Sequence, residues 1–204
     1  MGGSSDSSAD SSTTGSSAGC SETDECDDEQ SVHCHSCIRD RLVFVTSESV
    51  QGDFGIDGLD DLCNQLAADA GLLINGKKRF KPWISTSTQD AVDRFHHSPG
   101  RYVLVNGAIF ASSWDAIIAG ELQHPLNIDE NGAEVAGTVW TNTLPNGRAV
   151  PDSNHCKDWS VKDEFSTACY GYSTDVDEQW TLATDGTCPT QCGDVAALYC
   201  LEFM

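Results

Sequence analysis

The chain has 204 residues, enough for one sizeable domain and a tail. Eleven Lys and Arg stand against 32 Asp and Glu, a formal charge of −21. That balance excludes a duplex nucleic acid, heparin or an anionic membrane surface as the natural partner, because each needs clustered cations. No run of about 20 apolar residues occurs in the chain, so no transmembrane segment is expected. Ten cysteines with no matched pair of Cys-x-x-Cys motifs predict disulfides formed in an oxidising compartment. The expected setting is therefore extracellular or at the cell surface.

Residues 1–19 contain eight Ser, two Thr and four Gly. With no apolar periodicity they cannot offset chain entropy by burial, and they read as a disordered tether. Met1 leads directly into this stretch. The cysteine content predicts that an export signal preceded it, and a lipid-anchored precursor cut at this point would leave such a spacer.

Residues 20–40 form an acidic segment holding Cys20, Cys26, Cys34 and Cys37. Two local crosslinks would tie it into a knot, with the pairing left open. The sharper reading is a metal site, since His33-Cys34-His35-Ser36-Cys37 brings soft ligands together.

The globular domain is expected over 41–204. Leu42-Val43-Phe44-Val45 reads as a buried strand. After a Gly-rich loop, Gly52 to Gly58, Leu59, Leu62, Cys63, Leu66, Ala67 and Ala70 share one apolar helical face, stopped at Gly71. Cys63 lies on that face, so its partner must reach the core. Trp83-Ile84-Ser85 reads as a short strand, and Thr86 with Gln89 as the capping box of a second helix through Phe95. Asn106-Gly107 joins Arg101–Val105 to Ala108–Ala111 in a hairpin. Ser113 to Leu122 reads as a third helix with Trp114, Ile117 and Ile118 inward. Turns at Asp129-Glu130-Asn131-Gly132 and Pro145-Asn146-Gly147 flank a strand at Val139-Trp140. Beyond Pro151 the chain reads as long polar loops pinned by cysteines, closing on a strand from Val195 to Phe203. Helices early and strands late make the fold class α+β.

An ordered series of segments carries a family resemblance. Leu59-Asp60-Asp61-Leu62-Cys63-Asn64-Gln65 with Ala70-Gly71-Leu72, and Trp83-Ile84-Ser85-Thr86, begin it. Val103-Leu104-Val105-Asn106, Phe110-Ala111-Ser112-Ser113-Trp114-Asp115-Ala116 and the Gly120 to Leu126 stretch follow. Val139-Trp140-Thr141, Pro145-Asn146-Gly147-Arg148, His155-Cys156-Lys157-Asp158-Trp159 and Cys192 to Cys200-Leu201-Glu202 complete it. The series is similar to endostatin, the C-terminal domain of collagen XVIII, over about Arg41 to Phe203. Endostatin-like domains of unknown function also occur in bacterial surface lipoproteins, and the tether fits that setting.

The resemblance implies a C-type-lectin-like fold with two nested disulfides, Cys63–Cys200 and Cys156–Cys192. Cys169 and Cys188 are then left to each other, with Cys156–Cys188 as the competing pair. It also places known sites for comparison. Calcium-dependent lectins bind sugar through a Glu-Pro-Asn or Gln-Pro-Asp loop and a Trp-Asn-Asp segment. Here Leu144-Pro145-Asn146 and Trp180-Thr181-Leu182 stand there, and the leucines offer calcium no oxygen. Asp129, Glu130 and Glu134 are the remaining calcium candidates, against the reading of a solvated acidic turn. For zinc, His33 and His35 resemble endostatin's His-x-His, but Arg41 and Asn106 replace the other ligands. Of the heparin-binding arginines, Arg94 and Arg101 remain, beside His96 and His97. No cofactor is expected.

No Gly-x-Ser-x-Gly elbow occurs, and His124 and His155 are lone histidines, so no catalysis is expected. The aromatic residues of the late loops, Trp140, Trp159, Tyr170, Tyr172 and Trp180, are the candidate recognition residues. The expected function is a non-catalytic adhesion or binding protein that recognises a protein or a glycan. Self-association into a surface or matrix layer is the alternative, and an enzyme of unrecognised type the third reading.

Overall fold

The computed structural model describes residues 39–151 and 153–203. The tether expected over 1–19 and all but the end of the segment over 20–40 lie outside these residues. So do Cys20, Cys26, His33, Cys34, His35 and Cys37. The described chain is mixed α+β, with strands β1 (Arg41–Val45), β2 (Phe80–Pro82), β3 (Tyr102–Leu104), β4 (Ile109–Ala111), β5 (Thr138–Trp140), β6 (Thr167–Ala168), β7 (Tyr170–Tyr172), β8 (Thr190–Gln191) and β9 (Ala197–Glu202). The helices are α1 (Gly55–Asp69) and α2 (Trp114–Ala119), with short 3-10 turns between.

A seven-stranded sheet runs in the order β4-β3-β1-β9-β5-β7, and β2 also pairs with β9. The last strand is thus central: it pairs antiparallel with β1 and β2 and parallel with β5. All six of its residues are buried. Alternation along a strand sends successive side chains to opposite faces, and here it divides the core in two. Ala197, Tyr199 and Leu201 join Val43, Val45, Val139, Trp83, Trp114 and Trp180 on one face. Leu198 and Cys200 join Phe44, Trp140, Trp159 and the apolar stripe of α1 on the other.

Helix α1 begins earlier than its apolar spacing predicts, inside the Gly-rich stretch read as a loop. Ile56 packs against the second cluster alongside Leu59, Cys63, Leu66 and Ala67, so the buried face extends one turn toward the N-terminus. Asn64, buried beside Cys63, ties the helix to the sheet. Its carboxamide oxygen accepts the amides of Arg79 and Phe80, at 2.7 and 3.0 Å, and its Nδ2 donates to Phe80 O at 2.7 Å. The disulfide Cys63–Cys200, with Cα atoms 5.7 Å apart, joins α1 to the centre of β9.

Two local expectations are corrected. The strand expected at Trp83–Ser85 lies three residues earlier, although Trp83 N still donates to Tyr199 O and Ser85 N to Thr141 O. The helix expected from Thr86 to Phe95 reduces to a 3-10 turn at Ala91–Arg94. Thr86 Oγ1 does accept the Gln89 amide, but Gln89 O accepts the Thr86 amide and closes a tight loop. The next amides bond outside any helix: Ala91 N to Ser85 Oγ, Val92 N to Gly147 O. Polar side chains and a neighbouring loop outcompete the helical ladder. The hairpin β3–β4 is as read from the sequence; the helix expected over Ser113 to Leu122 is shorter, Trp114–Ala119, capped by Ser113 Oγ, which accepts the Ala116 amide at 3.2 Å, and stopped at left-handed Gly120.

Candidate recognition surface

The region after β5 is long and irregular, and three disulfides hold it. Besides Cys63–Cys200, Cys156 pairs with Cys192 (Cα atoms 5.6 Å apart) and Cys169 with Cys188 (5.0 Å). The competing Cys156–Cys188 link is not formed. All six described cysteines are therefore bridged, and none offers a thiolate.

The segment His155–Trp159, read from sequence as loop, is one turn of left-handed helix. Its five residues have φ between 50° and 61°. Each L-residue costs roughly 1–2 kcal/mol in this conformation, so the turn must be held from outside. Cys156 is bridged to Cys192. Asn154 Oδ1 accepts the amides of Cys156 and Thr167, at 3.1 and 3.0 Å. Asp158 accepts the Ser87 amide at 2.6 Å and the Ser87 hydroxyl at 2.8 Å. Trp159 is fully buried and its indole donates to Ser85 O at 2.9 Å. Gly52 makes room: a Cβ there would lie 2.7 Å from Cys156 Sγ and 2.9 Å from Val161 O. At the head of the turn, His155 is buried with neither ring nitrogen hydrogen-bonded, and burial pushes its pKa down.

Burial corrects the choice of recognition residues. Trp140, Trp159 and Trp180 are 1%, 0% and 1% exposed and belong to the core. Trp140 donates its indole N–H to Val50 O, and Trp180 stacks on Trp83 with ring centroids 5.4 Å apart. At Trp159 and Trp180 tertiary packing overrides the polar sequence around the tryptophan. Tyr170 and Tyr172 are different. They flank Gly171 on β7, are each half-buried, and meet edge to face at 5.6 Å. Gly171, between them, is pressed against a neighbouring backbone: a Cβ would lie 2.0 Å from Trp180 O. Tyr172 donates its hydroxyl to Asp185 Oδ2 at 2.7 Å. Asp185 Oδ1 accepts the Thr187 hydroxyl and amide, at 2.5 and 3.1 Å. The hydrogen bonds from Thr187 and then Tyr172 hold the Asp185 carboxyl below its usual range. Because Cys169 adjoins Tyr170 and Cys188 adjoins Thr187, one disulfide pins these two strips together. Sequence reasoning named both tyrosines and missed Asp185, 13 residues from Tyr172 in an exposed turn.

The calcium candidates do not share one environment. Asp129 and Glu130 are buried, and their oxygens already serve the protein. Asp129 Oδ1 accepts the amides of Asn131 and Ala133, at 2.9 and 2.8 Å. Glu130 accepts the amide and hydroxyl of Ser47. Glu134 is exposed, and no three His, Cys, Asp or Glu residues stand together as metal ligands among the described residues. At the positions compared with lectins, Thr181 is buried, accepting the Trp83 indole N–H and donating to Thr143 O.

Cations are largely consumed at home. Seven of the 11 pair with acids: Arg39 and Arg79 with Glu202, Lys78 with Asp61, Arg94 with Asp60, Arg101 with Asp40, Lys157 with Asp163 and Lys162 with Asp53. The heparin-type residues are among them: Arg94 is buried and Arg101 forms a two-point pair with Asp40, at 2.8 and 2.6 Å.

Two of the described histidines meet backbone oxygens. His97 stacks on Trp114 at 4.7 Å and its Nε2 meets Val92 O. His124 Nδ1 meets Ile109 O at 2.8 Å. No family model matches the chain, and no curated protein matches it. Among the described residues no helix is long and apolar enough to cross a membrane.

Proposed function

We propose that the chain is an exported, non-catalytic recognition module of the endostatin-like, C-type-lectin-like kind. It would act at the cell surface, binding a partner through the face built from its late loops. One observation carries this reading. The chain after β5 is mostly irregular, yet two disulfides crosslink its loops to one another, a third ties its last strand to α1, and it presents the Tyr170–Tyr172 pair at its surface. Irregular backbone held rigid is the usual carrier of recognition, because the ordering entropy is spent during folding. The nested bridges Cys63–Cys200 and Cys156–Cys192 support the family resemblance.

The absence of catalysis is part of the proposal. Nucleophilic chemistry needs a base in contact with a nucleophile and an orienting group. The rings of His97, His124 and His155 have no hydroxyl, thiol or carboxylate partner among the described residues.

The test is a screen of the oxidised protein against glycan and cell-surface protein arrays. Hits that weaken on substitution of Tyr172 support the reading, and no hits on either array would overturn it. Self-association is the second reading, favoured by exposed Phe165, at 90%, with Val195 and Phe54 also exposed. Light scattering separates the two: a strict monomer at high concentration removes the second.

A further inference from the structure

The tyrosine surface has a chemistry that narrows its ligand. Tyr170 and Tyr172 are two residues apart on β7, so their rings share one side of the strand. The other side is closed by Gly171 against the Trp180–Thr181 backbone. At the rim, Asp185 is fixed by Tyr172 and Thr187. Beyond Tyr172 in sequence the chain turns through Asp175, whose amide donates to Tyr172 O, into exposed Val176, Asp177 and Glu178, ahead of the Trp180 turn that closes the Gly171 side. None of Asp175, Asp177, Glu178 and Asp185 takes part in the seven ion pairs among the described residues. The two aromatic rings thus sit beside Asp185, whose charge no cation of the domain neutralises.

We infer that this surface receives a lysine- or arginine-bearing segment of a basic partner protein, one cationic side chain lying against the Tyr170–Tyr172 rings and paired with Asp185. The inference rests on the recognition reading above and deepens it. An aromatic ring attracts a cation electrostatically when it lies within about 6 Å of the ring centre, and a carboxylate alongside adds a charge-assisted hydrogen bond. Arginine meets both requirements with one group, since its guanidinium stacks on a ring and forks onto a carboxylate. Anionic ligands are repelled by Asp185, and a neutral sugar would hydrogen-bond it without balancing its charge. The Asp185 carboxyl stays ionised well below neutral pH because Thr187 and Tyr172 donate to it.

The experiment uses the full oxidised chain and a fluorescent tetra-arginine peptide, read by anisotropy at physiological salt. Tyr172→Leu and Asp185→Asn should each weaken binding by about fivefold or more, a cation–π or charged contact at an exposed site. Tyr172→Phe keeps the ring and should stay within about twofold of the unsubstituted chain. The pair Asp69→Asn with Glu121→Gln removes two charges elsewhere and should leave affinity nearly unchanged. Near-ultraviolet circular dichroism establishes that each variant is folded. No binding of the peptide, or equal losses from the remote pair and from Asp185→Asn, would overturn the inference. Array hits that depend on Tyr172 would still uphold the broader recognition reading in that case.

Discussion

Cys63 and Cys200 are 137 residues apart in sequence and joined by a disulfide that links the buried face of α1 to the middle of β9. The bridge crosses the second half of the core and closes nearly the whole domain into one loop. Loop-closure entropy for that length gives about 5 kcal/mol, the upper end for a disulfide. Replacing both cysteines by alanine should lower the unfolding free energy by several kcal/mol, measured by guanidinium denaturation, with a larger loss than the Cys169/Cys188 double replacement, which closes 19 residues.

The left-handed turn at His155–Trp159 makes two predictions of opposite sign. Gly52→Ala puts a methyl group against Cys156 Sγ and Val161 O, and should destabilise the protein by about 1–3 kcal/mol. Lys157 is exposed at φ 50°, and its ion pair with Asp163 is long, at 3.6 Å. Lys157→Gly relieves the left-handed strain and should stabilise by about 1 kcal/mol. Paired denaturation curves read both.

Arg94 and Asp60 form a pair that burial dominates. The Arg94 side chain is 3% exposed, and burial pushes its pKa down and that of Asp60 up despite their mutual attraction. Asp60→Ala leaves a buried cation without its partner and should cost about 3–5 kcal/mol. Asp60→Leu with Arg94→Met should cost less than that single change, because neither charge then has to leave water. A double-mutant cycle by denaturation tests the ordering.

His155 should make stability depend on pH. It is buried, and burial holds its pKa below the ordinary value. The unfolded chain therefore binds a proton more readily, so stability rises with pH between the folded value and about 6.5. The contribution is fully present above that window and is lost as the pH falls through it. His155→Gln should flatten the denaturation-derived stability curve as the pH falls below about 6.5. Comparing the two curves point by point removes the contribution of Asp60, which acts in the opposite direction.

Much of this fold can be read from local pattern. The stripe from Leu59 to Ala67 marks α1, Asn106-Gly107 marks the β3–β4 turn, and Ser113 marks the start of α2. What local pattern misses depends on distant partners. His155-Cys156-Lys157-Asp158-Trp159 contains no glycine or asparagine to announce a left-handed backbone, and its conformation is imposed by Cys192, Ser85 and Ser87. Trp159 and Trp180 stand among polar neighbours without periodicity, so their burial follows from packing alone, and the short strand signal at Val139-Trp140 does not say that both of its faces are covered. Asn64 looks like a surface helix residue, yet it replaces a strand partner for Arg79 and Phe80. Tyr170 and Tyr172 are named in the sequence only as aromatics of the late loops, beside three tryptophans that are buried, and nothing local separates the two groups. Asp185 is not legible, since nothing in an exposed Thr-Asp-Gly-Thr turn points back to Tyr172.

On this reading the late loops are crosslinked to one another, and the last strand to α1, before any ligand arrives. Proteolysis of the oxidised protein without reductant, followed by mass spectrometry, tests this directly. Linked peptides joining Cys63 to Cys200, Cys156 to Cys192 and Cys169 to Cys188 are predicted. Alkylated Cys63 and Cys200, or a peptide joining Cys156 to Cys188, would contradict it.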